Sequence, residues 1–341
     1  MAKAAIIAPM NNALKPALAP TLADVAALAG VSRTIASRAL STQPRPVSAD
    51  KRERVLRAAE TLGFRPNSLA RGLANKTVNL VAILVNHIHD LSDLDLFDLL
   101  LEQIQAIGKQ VIFIRVGAGE DAESFLRNGV AYHVDAALVF SDFADAATVR
   151  RMFRNNAVLM LNGHQDAGAA SVTMDEAQGI NQAVADAAGK GVRSALLITG
   201  RTMSQVERSR IASYRTAFAH HGIGLLAELA GDYSYASGRA LAEQIDVDAT
   251  DAVFCTSDAM AMGVLDAHRR HFPHNQPERF RLYGFDNVSL TRFDAYPISS
   301  IGADKREYVA QIVRILNRPA DLAERSEQVA VATRFVPRLT G

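Results

Sequence analysis

The chain has 341 residues, 49% of them apolar, so it is long enough for two or three domains and is globular rather than disordered. Its single cysteine excludes a disulfide framework and a zinc site built from several cysteines. No apolar run reaches the roughly 20 residues that a membrane-spanning helix needs. The net charge is +1, but residues 21–77 carry +6 and residues 78–341 carry −7. This asymmetry favours a basic head that meets a polyanion, although a solvated basic face remains an alternative.

Residues 1–19 are expected to form a disordered leader. Their apolar run is short and is interrupted by Pro9, so the resemblance to a signal peptide is weak.

The segment that follows predicts three short helices. Thr21 caps a first helix over about 22–29, and Gly30 supplies a left-handed turn. Ser32 caps a second helix to about residue 40, and Ser48 caps a third helix that ends at residue 63. The apolar residues expected to face inward are Val25, Ala26, Ala29, Val31, Ile35, Ala36, Leu40, Val55, Leu56, Ala59 and Leu62.

The spacing of the first two helices is typical of a helix-turn-helix. The second helix would then enter the major groove of DNA, with Arg33 and Thr34 near its beginning and Arg38 one turn later. A helical hairpin that only fills a core is the alternative.

The sequence FRPNSLARGLANK follows the third helix. Pro66 disfavours helix just before it, and Asn67 can cap a two-turn helix that is too short to be stable alone. Leu69 and Leu73 share one face of that helix, and an inserted leucine kinks DNA from the minor groove. A plain linker with two leucines is the alternative.

The stretches TLADVAALAGVSRTIASRAL and VSADKRERVLRAAETLGFRPNSLARGL resemble the head of the lactose-repressor (LacI/GalR) family of bacterial transcription regulators. Two departures are visible: Ile35-Ala36 stand where the family usually has Thr-Val, and the 41–47 loop is one residue longer than in the lactose repressor. The resemblance implies that DNA is bound by Thr21, Ser32, Arg33, Thr34, Ser37, Arg38, Asn67, Ala70, Arg71 and Leu73, with Leu73 as the minor-groove wedge.

From residue 78 onward, short apolar runs alternate with amphipathic helical stretches. The runs lie at 79–86, 110–117, 135–141 and 157–162, and again at 194–200, 225–231, 251–257 and 280–286. Such runs are typical of buried parallel strands, and two series predict two doubly wound lobes with a ligand at the carboxyl ends of the strands. A Rossmann enzyme is the rival, but neither a Gly-x-Gly-x-x-Gly after the first strand nor a Walker motif is present.

The resemblance extends over roughly residues 20–341, through SVTMDEAQGI, RSRIASYRTAF, GDYSYASGRA, TSDAMAMGVLDA and YGFDNVSL. The corresponding family patterns are VxxDNxxG, RxxGF, GxxxxxSG, NDxMAxG and VGFDD. The fold it implies is a helix-turn-helix head (20–65), a hinge (66–77) and a two-lobed, periplasmic-binding-protein-like body (78–341). The first lobe would hold about 78–175 and 302–318, and the second about 176–301 and 326–341.

The matched positions imply an effector site that includes Asp175, Arg210, Tyr233, Ser257 and Asp286, although Ser257 stands where the family usually has Asn. Asn86 and His87 are further candidates from the first loop, where they stand in place of the family's usual Pro and aromatic pair. The guanidinium of Arg210 suits sugar hydroxyls, carboxylates or phosphates. The alternatives are a surface role for Arg210, helix caps for Asp175 and Asp286, and a core position for Tyr233. In the loop VNHIHDLSDLDLFD, a metal site formed by His87, His89 and Asp90 has less support than a ligand contact or a solvated loop. No cofactor is expected, and Cys255 is expected to be an inert core thiol rather than a nucleophile.

The sequence therefore predicts a cytoplasmic, nucleoid-associated, homodimeric regulator, with repression the favoured mode. It would bind a pseudo-palindromic operator and respond to a small polar metabolite such as a sugar or sugar acid. The alternative is a transport-type solute-binding protein with a non-functional head; no catalytic pattern supports an enzyme. The dimer interface is expected near residues 92–108. Because no leucine heptad follows RFVPRLTG, a dimer is expected rather than a tetramer joined at the chain end.

Overall fold

The computed structural model describes residues 20–41, 46–65, 78–86, 88, 90–116, 133–140, 145–153, 155–161, 168–271, 280–318 and 326–341. The chain divides into two compact units, Met1–Lys76 and Thr77–Gly341. Among the described residues, no helix has the length and apolar character required to cross a membrane.

The first unit contains three helices, which confirm the predicted ones: α1 (Leu22–Ala29), α2 (Arg33–Ala39) and α3 (Ala49–Leu62). Thr21 and Asp24 form a reciprocal capping box at the start of α1. Gly30 ends α1 with a φ of +62°, a left-handed conformation that costs glycine little. The Ser32 hydroxyl accepts the Ile35 amide at 3.3 Å and so caps α2, whereas the side chain of Ser48 makes no such bond at α3.

The core of this unit consists mainly of small side chains: Val25, Ala26, Ala29, Ala36, Ala39, Val55, Ala58 and Ala59. The prediction for Leu56 was wrong, because its side chain is 50% exposed. The buried stripe of α3 follows Val55, Ala58 and Ala59 at helical spacing, and Leu56 lies about 100° around the helix from Val55.

The second unit alternates strands and helices along the chain. Its strands are β1 (Leu80–Val85), β2 (Gln110–Arg115), β3 (Ala136–Val139), β4 (Val158–Met160), β5 (Ala170–Asp175), β6 (Ser194–Thr199), β7 (Gly224–Ala230), β8 (Ala252–Cys255), β9 (Arg281–Phe285), β10 (Ser299–Ala303) and β11 (Gln328–Val336). Its helices are α4 (Leu91–Ala106), α5 (Ala146–Phe153), α6 (Ala177–Gly189), α7 (Gln205–His221), α8 (Tyr235–Leu241), α9 (Asp258–His271) and α10 (Lys305–Leu316), with short 3₁₀ turns at Ala242–Gln244 and Ser289–Arg292.

The strands are hydrogen-bonded in the order β2-β1-β3-β4-β5-β11-β10-β9-β8-β6-β7. Every pairing is parallel except that of β10 with β11. The two lobes each carry a parallel sheet with helices packed on it, and β11 joins them. Its first half pairs with β5, and its second half pairs with β10.

The lobe boundaries differ from the predicted ones in one place. Residues 328–332 pair with β5 and so lie in the sheet of the first lobe, although 326–341 was expected in the second lobe. Helix α10 contributes Tyr308, Val309 and Ile312 to the apolar core of the first lobe. The chain therefore passes between the lobes several times, and the seam between them is built from the ends of β5, β10 and β11.

Helices α8 and α9 of the second lobe approach each other very closely. A Cβ atom added to Gly238 would lie 2.1 Å from the carbonyl oxygen of Met260 and 2.6 Å from its Cα. Because both atoms belong to backbone, they are unable to move aside as a flexible side chain would.

We therefore expect Gly238→Ala to lower the free energy of unfolding by about 1–3 kcal/mol through overpacking. Gly189→Ala is the matched control, because it is helical and a Cβ there would meet no atom within 4 Å. Urea unfolding followed by circular dichroism measures both. Equal stability of the two variants would contradict this reading of the contact between the two helices.

Candidate functional site

Helix α2 presents a polar face to solvent. Arg33, Thr34, Ser37 and Arg38 are all exposed, while Ala36 and Ala39 are buried. The two predicted caps, Thr21 and Ser32, are exposed as well, and their hydroxyls bond to the helices that they begin. Six of the ten predicted DNA-binding residues thus lie on the described head, and Asn67, Ala70, Arg71 and Leu73 lie outside the described residues.

The charges on α3 are arranged differently from those on α2. Arg54 pairs with Asp50 and Arg57 pairs with Glu53, each one turn apart on the same helix. Arg33 and Arg38 form no hydrogen bond or ion pair to the side chains of described residues. The positive potential of the head is therefore least compensated on α2, the helix expected to read DNA.

In the second unit, a cavity of about 270 Å³ lies at the seam between the two lobes. It is lined by Ser92, Asp93, Leu96, Phe140, Leu161, Thr173, Met174, Glu176, Ser204, Val206, Arg210, Phe285, Asp286, Gly302, Ala303, Lys305 and Tyr308. A neighbouring cavity of about 300 Å³ shares Asp93, Phe140 and Ser204 with it. Together, these two spaces form what we call the cleft, which lies where the strands of the two lobes end.

The cleft brings together four of the seven predicted ligand residues. Arg210 and Asp286 line its first cavity, and Asn86 and Tyr233 line its second. Asp175 lines a third, more polar cavity of about 270 Å³ beside the cleft. Ser257 lines none of the three, and His87 lies outside the described residues.

Arg210 is buried, with 8% of its surface exposed, so a surface role is excluded. Its guanidinium donates two hydrogen bonds to Glu176, at 2.9 Å and 2.6 Å, and a third to the carbonyl of Thr256 at 2.8 Å. One face of the group lies 3.8 Å from the ring centre of Phe285. Burial opposes its charge, but Glu176 and then Glu207 hold the pKa of the guanidinium above its ordinary value.

Glu207 is a fully buried carboxylate that the sequence analysis missed. It accepts hydrogen bonds from the Gly200 amide at 2.6 Å, the Thr256 hydroxyl at 2.7 Å and the Tyr233 hydroxyl at 2.8 Å. It also lies 3.6 Å from the guanidinium of Arg210, which follows it by three residues on α7. That spacing places the two side chains on one face of a helix, and it is the feature of the sequence from which their pairing could have been predicted.

Tyr233 is both packed and part of the cleft wall. Its φ is +73°, and a Cβ at Gly200 would lie 1.9 Å from its ring, so residue 200 must be glycine for the ring to lie there. Burial raises the pKa of its hydroxyl above the ordinary value. The guanidinium of Arg201 lies 5.1 Å from the ring centre, within the range of a cation–π contact.

Asp286 follows β9 and has a φ of +98°, while Asn287 after it has a φ of +46°. Such backbone is strained for residues other than glycine and clusters at functional sites. No hydrogen bond or ion pair joins the Asp286 carboxyl to a described residue. Burial raises its pKa well above the ordinary value, and Arg210 opposes that rise. The structure thus places Asp286 in the cavity wall, and the N-cap of the next turn is Val288.

Ser257 and Asp175 bond to the backbone at the beginnings of helices. The buried Ser257 hydroxyl accepts the Met260 amide at 3.2 Å and donates to the Tyr233 carbonyl at 3.1 Å. The Asp175 carboxylate accepts the Ala177 amide at 3.2 Å. Both side chains therefore act as helix caps. The sequence analysis gave this role as an alternative for Asp175 but did not predict it for Ser257.

The acidic start of α4 reaches across the seam. Asp90 caps α4 together with Asp93, and its carboxylate lies 3.2 Å from the guanidinium of Arg201 in the second lobe. Asp95 accepts the amide of Ser289 at 2.7 Å and the ammonium group of Lys305 at 3.0 Å. His87 and His89 lie outside the described residues, within which no group of three metal-ligating side chains occurs.

Cys255, at the end of β8, is fully buried, and burial raises the pKa of its thiol. A thiol with a raised pKa is a poor nucleophile, in line with the predicted inert core position.

Asp258, the first residue of α9, is a second buried carboxyl. It accepts the Ser300 hydroxyl at 2.6 Å and the Val288 amide at 2.8 Å, and burial raises its pKa to about 7. Because the unfolded value is about 4, the neutral acid is the form that the fold prefers. Its contribution to stability is therefore greatest below pH 4 and is lost as the pH rises from about 4 to about 7.

We expect Asp258→Asn, which mimics the neutral acid, to gain stability relative to the wild type over that pH window. Thermal midpoints of both proteins between pH 4 and pH 8 measure the difference. A difference that is independent of pH would show that Asp258 does not titrate there.

Comparisons with known proteins agree with both units. Residues 21–67 match the family described as bacterial regulatory proteins, lacI family, and residues 184–340 match a periplasmic binding protein-like domain. The transcriptional regulator AscG of Escherichia coli is 27% identical over 307 residues, covering 86% of this chain and 90% of that protein. Catabolite control protein A of Priestia megaterium is 27% identical and covers 87% of this chain and 92% of that protein.

Solved structures share the fold. A lac repressor dimer bound to operator and the anti-inducer ONPF superposes with a TM-score of 0.82 at 23% identity, covering 94% of this chain and 98% of that chain. The regulator CelR in complex with cellobiose has a TM-score of 0.67 at 24% identity, with 94% of this chain and 100% of that chain covered. The chain thus combines a head that matches the lacI family with a body that matches a periplasmic binding protein-like domain, and relatives named as transcriptional regulators align with most of its length.

Proposed function

We propose that this protein is a transcription regulator that binds a pseudo-palindromic DNA operator as a homodimer and responds to a small polar metabolite held in the cleft. The observation that carries the proposal is the occurrence, in one chain, of a helix-turn-helix with uncompensated arginines on α2 and a two-lobed body whose cleft contains Arg210, Asp286 and Lys305. Relatives named as transcriptional regulators and repressors support it. Repression is the favoured mode, and the cytoplasm is the compartment in which such a protein would meet DNA.

The ligand would act by changing the balance between two arrangements of the lobes. A coupling of about 1–3 kcal/mol between ligand and operator is typical of allosteric proteins. The contacts of Asp90 with Arg201 and of Asp95 with Ser289 cross the seam, so a change in the angle between the lobes would alter their distances.

A dimer follows from the size of a half-site, since one helix-turn-helix reads too few base pairs to be specific. The predicted interface includes α4, on which Phe97, Leu100 and Ile104 are buried in the lobe, whereas Leu94 is 60% exposed. The exposed Leu94, with the half-buried Leu101 two turns further along the helix, supports a second apolar contact on α4.

The rival functions have less support. A transport-type solute-binding protein would have no use for the exposed arginines of α2. An enzyme has less support, because the relatives reported above are named as transcriptional regulators.

The test begins by selecting binding sites from randomised duplexes with the full-length protein. We expect a two-fold symmetric site, bound at least 10³-fold more tightly than a scrambled duplex, with affinity that falls steeply between about 50 and 200 mM salt. Fluorescence anisotropy measures both affinities. Equal affinity for the selected and scrambled duplexes would contradict a sequence-specific regulator.

A further inference from the structure

Three cationic side chains line the cleft, and each is already paired with a carboxylate. Arg210 is paired with Glu176 at 2.6 Å, Lys305 with Asp95 at 3.0 Å, and Arg201 with Asp90 at 3.2 Å. Every described cation that an anionic ligand would meet in the cleft therefore already has a carboxylate beside it.

The pair of Arg210 with Glu176 is the most buried of the three, with side chains 9% and 10% exposed. Glu176 takes two adjacent donors of the guanidinium, the Thr256 carbonyl takes a third, and the ring of Phe285 covers one face. Glu207 adds a second carboxylate 3.6 Å away. These bonds use three of the five N–H donors of Arg210, and a carboxylate or phosphate that approached the other two would lie beside the negative charges of Glu176 and Glu207, which would repel it.

One ionisable group of the cleft forms no hydrogen bond or ion pair with the described residues, and it is itself a carboxyl. Asp286 lines the first cavity, and no described residue donates a hydrogen bond to it. Its oxygens can accept hydrogen bonds from ligand hydroxyl or ammonium groups. Asp286 thus favours a ligand that donates hydrogen bonds over one that carries negative charge.

We propose that Glu176 determines the class of ligand, so that the cleft takes an uncharged or amine-bearing metabolite that donates hydrogen bonds and rejects carboxylates and phosphate esters. This rests on the proposed ligand site, and it removes the sugar acids that the sequence left open. The family pattern VxxDNxxG, matched by VTMDEAQG, has asparagine where this chain has Glu176. A neutral side chain there would leave the forked donors of Arg210 for an anion.

Inorganic sulfate is a probe that does not require knowledge of the natural ligand. The full-length protein is titrated with sulfate at constant ionic strength against chloride, and binding is followed by calorimetry and by the thermal midpoint. The variants are Glu176→Gln, Arg210→Gln and the double variant of both. Glu228→Gln is the matched control, because Glu228 forms the same two-bond pair with Arg215, at 2.6 Å for each bond, but outside the cleft.

We expect Glu176→Gln to bind sulfate at least 10-fold more tightly than the wild type, and the double variant to lose that gain. Glu228→Gln should show no gain, because Arg215 is 60% exposed and stays hydrated. A wild-type sulfate response that Arg210→Gln abolishes would overturn the proposal, and so would a Glu176→Gln protein that gains no binding.

If Glu176→Gln does not fold, Glu176→Asn replaces it, and the comparison of the wild type with Arg210→Gln still decides whether an anion reaches the guanidinium. The outcome is separate from that of the proposed function. Failure to select an operator would contradict the regulator and leave the sulfate result standing, whereas sulfate binding at Arg210 in the wild type would contradict only the ligand class.

Discussion

Replacing Glu207 with alanine is expected to lower the free energy of unfolding by about 3–5 kcal/mol, the range observed when one partner of a buried ion pair is removed. The substitution leaves the Gly200 amide and the hydroxyls of Thr256 and Tyr233 without their acceptor. It also removes one of the two carboxylates that balance the buried Arg210. Urea unfolding followed by circular dichroism measures the loss.

Glu228→Ala is the control for this prediction. It removes a carboxylate that pairs with Arg215 on the surface, where an ion pair contributes about 0–1 kcal/mol. Similar small losses for Glu207→Ala and Glu228→Ala would show that the buried network contributes no more than a surface pair and would refute the role assigned to Glu207.

The second large effect is expected on DNA binding. The double variant Arg33→Ala/Arg38→Ala should weaken binding to the selected operator by at least about 30-fold, since each arginine that contacts a base contributes about 1–3 kcal/mol. Both side chains are exposed and make no described contact within the head, so its fold should be retained. Anisotropy titrations with the selected and scrambled duplexes give the affinity and the specificity ratio.

The matched control is Arg54→Ala/Arg57→Ala, which removes the same charge from α3, where both arginines pair with acidic neighbours. It should weaken binding to both duplexes alike, because it reduces only the general attraction to phosphate. If both double variants lost affinity equally on both duplexes, α2 would not be the helix that reads the sequence.

Local signals predicted the head well. Thr21, Gly30 and Ser32 act within one helical turn, so their caps and the left-handed turn are visible in the sequence. Leu56 was assigned to the core because it is apolar, but the burial of a residue also depends on which face of α3 meets its neighbours.

The candidate ligand site was predicted only in part. Resemblance to a family located Arg210, Asp286 and Tyr233, and the structure places all three at the cleft. Glu176 and Glu207 were missed, because a carboxylate has no property in the sequence that identifies its partner. Ser257 stands where the family pattern has Asn, and its hydroxyl bonds to the backbone rather than lining the cleft.

The sequence by itself determined the caps of α1 and α2, the eight apolar runs that form β1–β4 and β6–β9, and the division between a basic head and an acidic body. Only the tertiary structure decided that β11 changes partner between the lobes, that Glu176 neutralises Arg210, and that Asp95 reaches Ser289. The physical reason is the distance along the chain between the residues that interact. Caps and periodicity act between residues one to four apart, whereas these contacts join groups separated by 30 to 194 residues along the chain, and those groups meet only after both lobes have packed.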